Sequence, residues 1–240
     1  MIDFNRIRGV LFDYGGTIDS NGIHWAEVIW QAWQAENVPV SKEIFRNAYI
    51  HGERTLGKNP LVKPHHTFRD MMQLKTDIQM EWLKDQQYLP EEKNDAVWKR
   101  RIVDFCYEYA RSSVEKARPV IEWMAGKYPL AMVSNFYGNL AAVLNDFGIA
   151  RFFPILIESA VVGVRKPDPQ IFRLGAEALQ LPESEAVVIG DSYNKDILPA
   201  AAAGCQTIWL KNIGWDESAG NETADLIISD LVELKKWFES

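Results

Sequence analysis

The chain has 240 residues, of which 47% are hydrophobic and 25% charged, and its formal net charge is −7. This balance is typical of a globular protein and excludes a disordered chain. The excess of acidic residues argues against a protein whose main task is to bind a nucleic acid backbone or an anionic membrane.

The cysteine content and the lengths of the apolar runs narrow the class of protein further. Cys106 and Cys205 lack the spacing of metal ligands, so we expect two buried free thiols. The sequence opens without a secretory signal and contains no apolar run near the roughly 18 residues that span a bilayer, which predicts a cytoplasmic protein. The oligomeric state is not indicated by any of these features.

The first predicted element is a buried strand at residues 10–12, directly followed by the sequence DYGGT at residues 13–17. Open α/β sheets place their chemistry at the carboxyl ends of such strands. A carboxylate there can act as a covalent nucleophile, and two consecutive glycines let the backbone turn sharply beside a charged group. Asp13 is therefore the first candidate catalytic residue.

The segment from residue 21 to residue 113 has a different pattern, with apolar residues at helical spacing and no strand-like run. Phe68, Met71, Ile78 and Trp82 fall on one helix face, and a similar stripe runs from residue 98 to residue 109. We interpret these stripes as the core of an all-helical insertion.

A basic stretch lies inside this insertion. It runs from His51 to Arg69, contains three of the four histidines, and is interrupted by glycines and prolines. This composition predicts a loop, which either is a solvated surface or presents cations to an anionic substrate.

From residue 130 onward, strand-like runs alternate with helical patterns, as in a parallel sheet with crossover helices. Strands are predicted at residues 130–133, 155–157, 186–190, 207–210 and 226–228, and helices at residues 171–179, at residues 197–203 and up to residue 238. Together with the first strand, these runs predict an α/β fold.

Polar residues follow three of these later strands. Ser134 and Asn135 come directly after the second strand, Lys166 lies in the loop after the third, and Asp191 follows the fourth, with Asp196 five positions beyond it. With Asp13 included, the ends of four strands supply a carboxylate, a hydroxyl, an amine and a pair of carboxylates.

These residue types suit phosphoryl transfer. If Asp13 attacks phosphorus, an aspartyl-phosphate forms, and the charge on the transferring oxygens calls for a cation such as Lys166 and for hydrogen-bond donors such as Ser134. Asp13 and Asp191 offer two hard oxygen ligands, which suits a hydrated Mg²⁺ ion.

The four segments resemble, in order and position, the four motifs of the haloacid dehalogenase-like (HAD) hydrolase superfamily, over about residues 9 to 210. The resemblance implies a Rossmann-like, doubly wound parallel sheet as the core domain, made of residues 1–20 and 114–240. It also implies that residues 21–113 form an all-helical cap domain inserted into this core, which closes over the active site.

The resemblance also implies a role for each motif residue. Asp13 would be the nucleophile and Lys166 the charge-neutralising catalytic residue, with Asp196 supporting the lysine or the metal. Mg²⁺ would be bound by Asp13, by the backbone carbonyl of Gly15 and by Asp191. Phosphate would be contacted by four residues of the first and second motifs, namely Ser134, Asn135, Gly16 and Thr17.

The sequence departs from the family pattern at Gly15. Phosphatases of this family usually carry a second aspartate there, which protonates the leaving oxygen and then activates water. Loss of such an acid/base group lowers the rate by about 10²- to 10⁴-fold, which corresponds to an activation barrier higher by about 3 to 5 kcal/mol. Asp19 and His24, which follow the motif closely, are candidate replacements.

We therefore expect a Mg²⁺-dependent hydrolase, a phosphatase that acts on a small phosphorylated metabolite. Two alternatives stay open. One is an enzyme that cleaves acyl phosphates, or phosphonates through an imine with a cap lysine such as Lys42, Lys58 or Lys63. The other is a weakened, phosphate-binding protein. A haloacid dehalogenase would lack a metal, and the retained Asp191 argues against it.

Overall fold

The structure is a computed structural model that describes residues 1–89, 95–214 and 223–239. At its centre is a parallel sheet of six strands: β1 Gly9–Phe12, β2 Leu130–Ser134, β3 Ile155–Glu158, β4 Ala186–Gly190, β5 Gln206–Leu210 and β6 Leu226–Ile228. The strand order across the sheet is β3-β2-β1-β4-β5-β6, and every neighbouring pair is parallel. The predicted α/β class is confirmed, and every predicted strand is present.

The position of β1 determines where the site lies. β1, β2 and β4 are buried along their whole length, as expected of apolar strands covered by helices on both faces. β1 lies between β2 and β4, so the strand order reverses direction beside it. In open α/β sheets, ligands bind in the crevice outside the carboxyl ends of the strands at such a switch point.

Nine α-helices are present in the described ranges. The predicted helical insertion is confirmed: α1 Trp25–Ala35, α2 Lys42–Lys58, α3 Phe68–Asp85 and the first part of α4 Asp95–Ala125 follow β1. We call these four helices the cap. The core helices are α5 Leu140–Asp146, α6 Ser159–Val162, α7 Gln170–Ala178, α8 Leu198–Ala203 and α9 Glu233–Phe238.

The cap connects to the core through a continuous helix. The predicted boundary between residues 113 and 114 lies inside α4, which runs without a break from Asp95 to Ala125. The chain therefore returns to the core within a single helix, whereas it enters the cap through the turns after residue 13. The division into a core of residues 1–20 and 114–240 and a cap domain of residues 21–113 stays a prediction.

The expectation of a loop from residue 51 is wrong for residues 51–58, which belong to α2. α2 buries Phe45, Tyr49 and Leu56 on one face, and this burial outweighs the low helix propensity of its glycines. Gly52 allows close packing, because a Cβ atom there would lie 3.2 Å from Cγ of Gln79 in α3.

Two smaller expectations can also be compared with the structure. Cys106 and Cys205 are both buried and free, as predicted. In the described ranges, we find no helix that combines the length and the apolar character needed to cross a membrane.

Candidate active site

The candidate site is centred on the carboxylate of Asp13, at the carboxyl end of β1. The ammonium group of Lys166 lies 2.6 Å from Oδ1 of Asp13 and 2.6 Å from Oδ1 of Asp196. The hydroxyl of Ser134, at the end of β2, donates to the same Asp13 oxygen at 3.1 Å. All four side chains are buried. The ends of β1 and β2 and the loops after β3 and β4 therefore meet at one point.

Thr17 bridges the carboxylates of Asp13 and Asp191. Its Oγ1 lies 3.0 Å from Oδ2 of Asp13 and 3.0 Å from Oδ1 of Asp191, so its single proton can serve either carboxylate. The turn that carries Thr17 requires a glycine at position 16. Gly16 has a φ of +97°, and a Cβ atom there would lie 2.5 Å from Oδ1 of Asp191.

The side chain of Asn135 is bonded to the backbone of Lys166, and its predicted role as a phosphate contact stays a prediction. Its side-chain amide donates to the backbone carbonyl of Lys166 at 3.0 Å, and its Oδ1 accepts from the backbone N–H of Lys166 at 2.9 Å. These two bonds fix the backbone from which the lysine side chain reaches Asp13. The amide of Gly16 is likewise engaged, because it donates to Oδ1 of Asp19 at 2.7 Å.

The loop after β4 is held by bonds that the sequence alone did not reveal. The backbone N–H of Ser192 donates to Oδ2 of Asp196 at 2.9 Å, and the indole of Trp209 donates to the backbone carbonyl of Asp191 at 2.8 Å. Gly190 has to be a glycine, since a Cβ atom there would lie 2.5 Å from Cβ of Asp196. The sequence does place Trp209 in the predicted strand at residues 207–210. It does not give the register between this strand and β4, so the bond from Trp209 to Asp191 could not be predicted.

The site holds more carboxyl groups than ammonium groups. Among the residues that the structure describes, the carboxyl groups of Asp13, Asp191 and Asp196 gather near the ammonium group of Lys166. Burial raises the pKa of Asp191 well above its usual value, and the charges of Asp196 and Asp13 raise this pKa further. Burial alone would lower the pKa of Lys166, but Asp13 and Asp196 hold it above its usual value, so the lysine is an ammonium ion.

A divalent cation fits this arrangement. Asp13, Asp191 and Asp196 each offer a carboxylate oxygen, and these three atoms lie within 4.8 Å of one another. Hard oxygen ligands of this kind suit Mg²⁺. Asp196 already binds Lys166 through Oδ1 and Ser192 through Oδ2, which makes Asp13 and Asp191 the better candidates for direct ligands.

Gly15 leaves room where the family's second aspartate would be. It is exposed, and a Cβ atom at this position would meet no described atom within 4 Å. The backbone carbonyl of Gly15 is on the turn between Asp13 and Gly16. Its predicted role as a metal ligand stays a prediction.

The two candidate replacements for the missing acid differ in their surroundings. Asp19 is buried and accepts a hydrogen bond from the backbone N–H of Gly16, and burial raises its pKa from 3.8 to about 7. His24 caps α1, because its Nδ1 accepts from the backbone N–H of Ala26 at 3.1 Å. Burial lowers the pKa of His24 from 6.5 to about 4.

Comparison with known families gives a match to most of the chain. A family model described as haloacid dehalogenase-like hydrolase matches residues 7–204. This range includes all four strand ends that meet at Asp13.

Individual relatives share between about a quarter and a third of the aligned residues with this chain. The phosphoserine phosphatase of Thermus thermophilus is 33% identical over 106 residues, which are 44% of this chain and 42% of that protein. The phosphoglycolate phosphatase of Yersinia pseudotuberculosis is 24% identical over 242 residues, which cover 98% of this chain and 94% of that protein. The match to the Thermus protein therefore spans less than half of that protein's length.

A solved structure shares the fold. A dehalogenase determined as an intermediate complex superposes with a TM-score of 0.65 at 16% sequence identity, and the alignment covers 99% of this chain and 98% of that one. At this identity the likeness shows a common fold and nothing about the reaction. The predicted doubly wound core with its helical insertion is thus confirmed at the level of architecture.

Proposed function

Because the chain belongs to the haloacid dehalogenase-like hydrolase family, we propose that it is a Mg²⁺-dependent phosphatase that acts through an aspartyl-phosphate on Asp13. One observation carries this proposal. A buried carboxylate at the switch point of the sheet is held by an ammonium group at 2.6 Å and by the hydroxyl groups of Ser134 and Thr17 at 3.1 and 3.0 Å. The relatives named as phosphoserine and phosphoglycolate phosphatases favour a small phosphorylated substrate.

The roles of the individual groups follow from this geometry. Lys166 holds the Asp13 carboxylate in one orientation and supplies positive charge for the oxygens of the transferring phosphoryl group. Ser134 can turn its hydroxyl from Asp13 to a phosphate oxygen, because its proton is free to rotate. Asp196 and the Asn135 amide keep the lysine in place.

The metal would be held by Asp13 and Asp191, with the Gly15 carbonyl as a further ligand. When bound, Mg²⁺ supplies Lewis-acid charge that offsets the repulsion between an anionic nucleophile and an anionic phosphate. The excess of carboxylates over ammonium groups in the site supports this assignment. Thr17 would orient the two ligating carboxylates, since its hydroxyl reaches both.

Asp19 is the better candidate for the acid/base role that Gly15 cannot fill. A pKa near 7 lets the same carboxyl group give up and take back a proton at neutral pH. His24 fits less well, because its Nδ1 is used in capping α1 and its pKa of about 4 keeps the ring neutral. We therefore propose that Asp19 transfers the proton, through water where direct contact is not possible.

The imine alternative finds no support in the lysines that the sequence suggested. Lys42, Lys58 and Lys63 are all exposed. Lys42 pairs with Glu27 at 2.6 Å, and Lys63 donates to the backbone carbonyl of Pro60 at 2.7 Å. An imine-forming lysine has to be desolvated to be neutral and nucleophilic at pH 7.

The proposal is tested by turnover of a panel of substrates with and without Mg²⁺. The panel contains an aryl phosphate, small alkyl phosphates, acetyl phosphate, a phosphonate and a 2-haloacid, and Asp13→Asn is the matched inactive variant. We expect release of inorganic phosphate that requires Mg²⁺ and that falls by about 10³-fold or more in Asp13→Asn. Halide release without metal, or phosphate release that survives the substitution, would overturn the proposal.

A further inference from the structure

A second group of polar side chains lies where the cap meets the core, in which Lys75 and Gln79 are buried and Glu53 and Tyr137 are half-buried. Lys75 of α3 forms an ion pair with Oε1 of Glu53 of α2 at 2.5 Å, and the Tyr137 hydroxyl, from the loop after β2, donates to Oε2 of Glu53 at 2.7 Å. Gln79 lies one helical turn after Lys75 and packs against Gly52. We call Glu53, Lys75, Gln79 and Tyr137 the cap–core cluster.

The cap–core cluster faces the catalytic loops. Tyr137 comes three residues after Ser134, whose hydroxyl binds Asp13. The charge of Lys75 lowers the pKa of Asp19 and the pKa of His24, so both groups lie within electrostatic reach of this lysine. The ammonium group of Lys75 lies 5.9 Å from the centre of the Tyr49 ring, and this ring lies 5.9 Å from the ring of His24. The cluster is therefore placed beside the segment that follows the first motif.

Gln79 of the cluster and the adjacent Thr76 have unused hydrogen-bonding capacity. Gln79 is fully buried, and neither its Nε2 nor its Oε1 has a hydrogen-bond partner in the part of the chain that the structure describes. The neighbouring Thr76 hydroxyl is in the same situation. Leaving a buried polar group without a partner costs about 1 to 3 kcal/mol. A partner from outside the protein, such as a substrate, would satisfy these groups.

The charges within the cluster are balanced. Burial alone would lower the pKa of Lys75, but the Glu53 carboxylate holds it above its usual value, so the lysine is an ammonium ion. Burial alone would raise the pKa of Glu53, but Lys75 holds it below its usual value. The pair thus contributes one positive and one negative charge, and an ammonium ion cannot form an imine without first losing its proton.

We propose that the cap–core cluster is the subsite that selects the substrate, and that it binds the hydroxyl groups of a sugar or polyol phosphate. This inference rests on the proposed phosphatase function. Each hydroxyl both donates and accepts, so it can bridge an ammonium group and a carboxylate of one ion pair. The Gln79 amide offers the same combination of donor and acceptor to a second hydroxyl.

A leaving group that carries a carboxylate fits the cluster poorly. It would approach Glu53 as closely as it approaches Lys75, and two carboxylates at that distance repel each other. The cluster therefore favours a neutral, hydroxyl-rich leaving group over the carboxylate-bearing phosphoglycolate or phosphoserine.

The test measures kcat and KM for three classes of substrate. These are hexose and polyol phosphates, the carboxylate-bearing phosphates phosphoglycolate and phosphoserine, and an aryl phosphate as reference. Gln79→Leu and Glu53→Gln are compared with Gln73→Leu on the same helix and with Glu27→Gln on the cap surface. Gln73 bonds to Asp77 and Glu27 pairs with Lys42, so both controls also remove a polar contact.

For the wild type we expect a higher kcat/KM with at least one sugar or polyol phosphate than with either carboxylate-bearing substrate. We expect Gln79→Leu and Glu53→Gln to lower the kcat/KM ratio of sugar phosphate to aryl phosphate about tenfold, mainly through KM. The two control variants should leave this ratio unchanged. If Glu53→Gln does not fold, Tyr137→Phe removes one hydroxyl from the same cluster and should lower the ratio in the same direction.

The outcomes separate this inference from the proposed function. Mg²⁺-dependent hydrolysis of the aryl phosphate together with a preference for phosphoglycolate or phosphoserine would overturn the subsite and leave the phosphatase standing. An unchanged ratio in folded Gln79→Leu and Tyr137→Phe would overturn the subsite in the same way. Absence of turnover with every phosphate would overturn the proposed function, and the subsite with it.

Discussion

Two buried lysines, Lys166 at the ends of the core strands and Lys75 in the cap, differ in the charges around them. Their side chains are similarly buried, with exposed fractions of 2% and 7%. Lys166 contacts two carboxylates, from Asp13 and Asp196, whereas Lys75 contacts one, from Glu53. Burial is thus common to both, and the balance of charge distinguishes them.

This difference in charge supports the two separate roles proposed for the two regions. The surplus of carboxylates around Lys166 suits a site that gathers a metal ion and handles a charged phosphoryl group. The neutral pair formed by Lys75 and Glu53 suits recognition of neutral hydroxyl groups. Substitutions in the first region should therefore affect turnover of every phosphate, and substitutions in the second should change only the ranking of substrates.

The largest effect is expected from Lys166→Met. The substitution leaves Asp13 and Asp196 buried without their common cation, which should cost about 3 to 5 kcal/mol in the free energy of unfolding. Turnover of every phosphate should fall by about 10³-fold, because charge neutralisation is lost for all of them. Urea titrations and phosphate-release assays measure the two effects.

Lys42→Met is the matched control, since Lys42 also pairs with a carboxylate, at 2.6 Å, but is exposed. It should retain both stability and turnover. Equal effects of the two substitutions would mean that the buried position of Lys166 has no special role.

The next largest effect concerns the pH dependence of stability in Asp19→Asn. Burial raises the pKa of Asp19 from 3.8 to about 7. Between these values the folded chain holds a proton that the unfolded chain has released, so this group makes stability fall as pH rises. Asparagine does not ionise, so it removes this loss of stability at higher pH. The metal-free variant should gain up to about 4 kcal/mol over the wild type by pH 8, and little below pH 4.

Urea titrations at several pH values from 4 to 8 measure this gain, with the exposed Asp85→Asn as control. His24 acts in the opposite direction, because its lowered pKa makes stability rise with pH between about 4 and 6.5. The comparison of Asp19→Asn with the wild type removes this shared contribution. A difference in stability that does not change with pH would show that Asp19 ionises normally.

A gain of activity is expected from Gly15→Asp. The position is exposed and has space for a Cβ atom, so an aspartate there can be accommodated. It would restore the acid/base group that the family usually carries, and the rate with an alkyl phosphate leaving group should rise about 10²-fold. Acetyl phosphate, whose leaving group needs no proton, should gain little. Equal gains with both substrates would contradict an acid/base explanation.

The smallest effect is expected from one ion pair of the cap, between Lys42 and Glu27. Glu27→Gln breaks a contact with Lys42 at 2.6 Å, in which the Lys42 side chain is 47% exposed and the Glu27 side chain 18% exposed. We expect the free energy of unfolding to change by less than about 1 kcal/mol, since exposed pairs contribute little. Thermal unfolding at low and high salt measures it. A larger loss would show that burial does not set the strength of the ion pairs in this molecule.

The sequence predicted the strands and the central residues of the site because both depend on local patterns. Each core strand is a short apolar run, and the first four strands are each followed by a polar residue of the site at the strand end or in the next loop. Asp13, Ser134 and Lys166 could be assigned to one site because the carboxyl ends of parallel strands lie at one edge of a sheet. The helical nature of the insertion was readable from its apolar spacing.

The remaining features depend on contacts between distant segments. Lys75 continues the apolar stripe of α3, four residues after Met71, and this spacing was a signal that the lysine is buried. Its partner Glu53 could not be predicted, because the basic composition around it indicated a loop instead of a packed helix. The continuity of α4 across the expected boundary was also hidden, since a helix that passes from cap to core changes its packing partners without changing its period.

The most direct test of the central claim is to trap the phosphoryl group on Asp13. Wild-type protein and Asp13→Asn are mixed with Mg²⁺ and acetyl phosphate, quenched in acid within milliseconds to seconds, digested and analysed by peptide mass spectrometry. We predict a phosphoryl adduct on the wild-type peptide that contains residues 13–17, and none in the variant. Steady turnover of acetyl phosphate without an adduct at any quench time, retained in Asp13→Asn, would contradict the account.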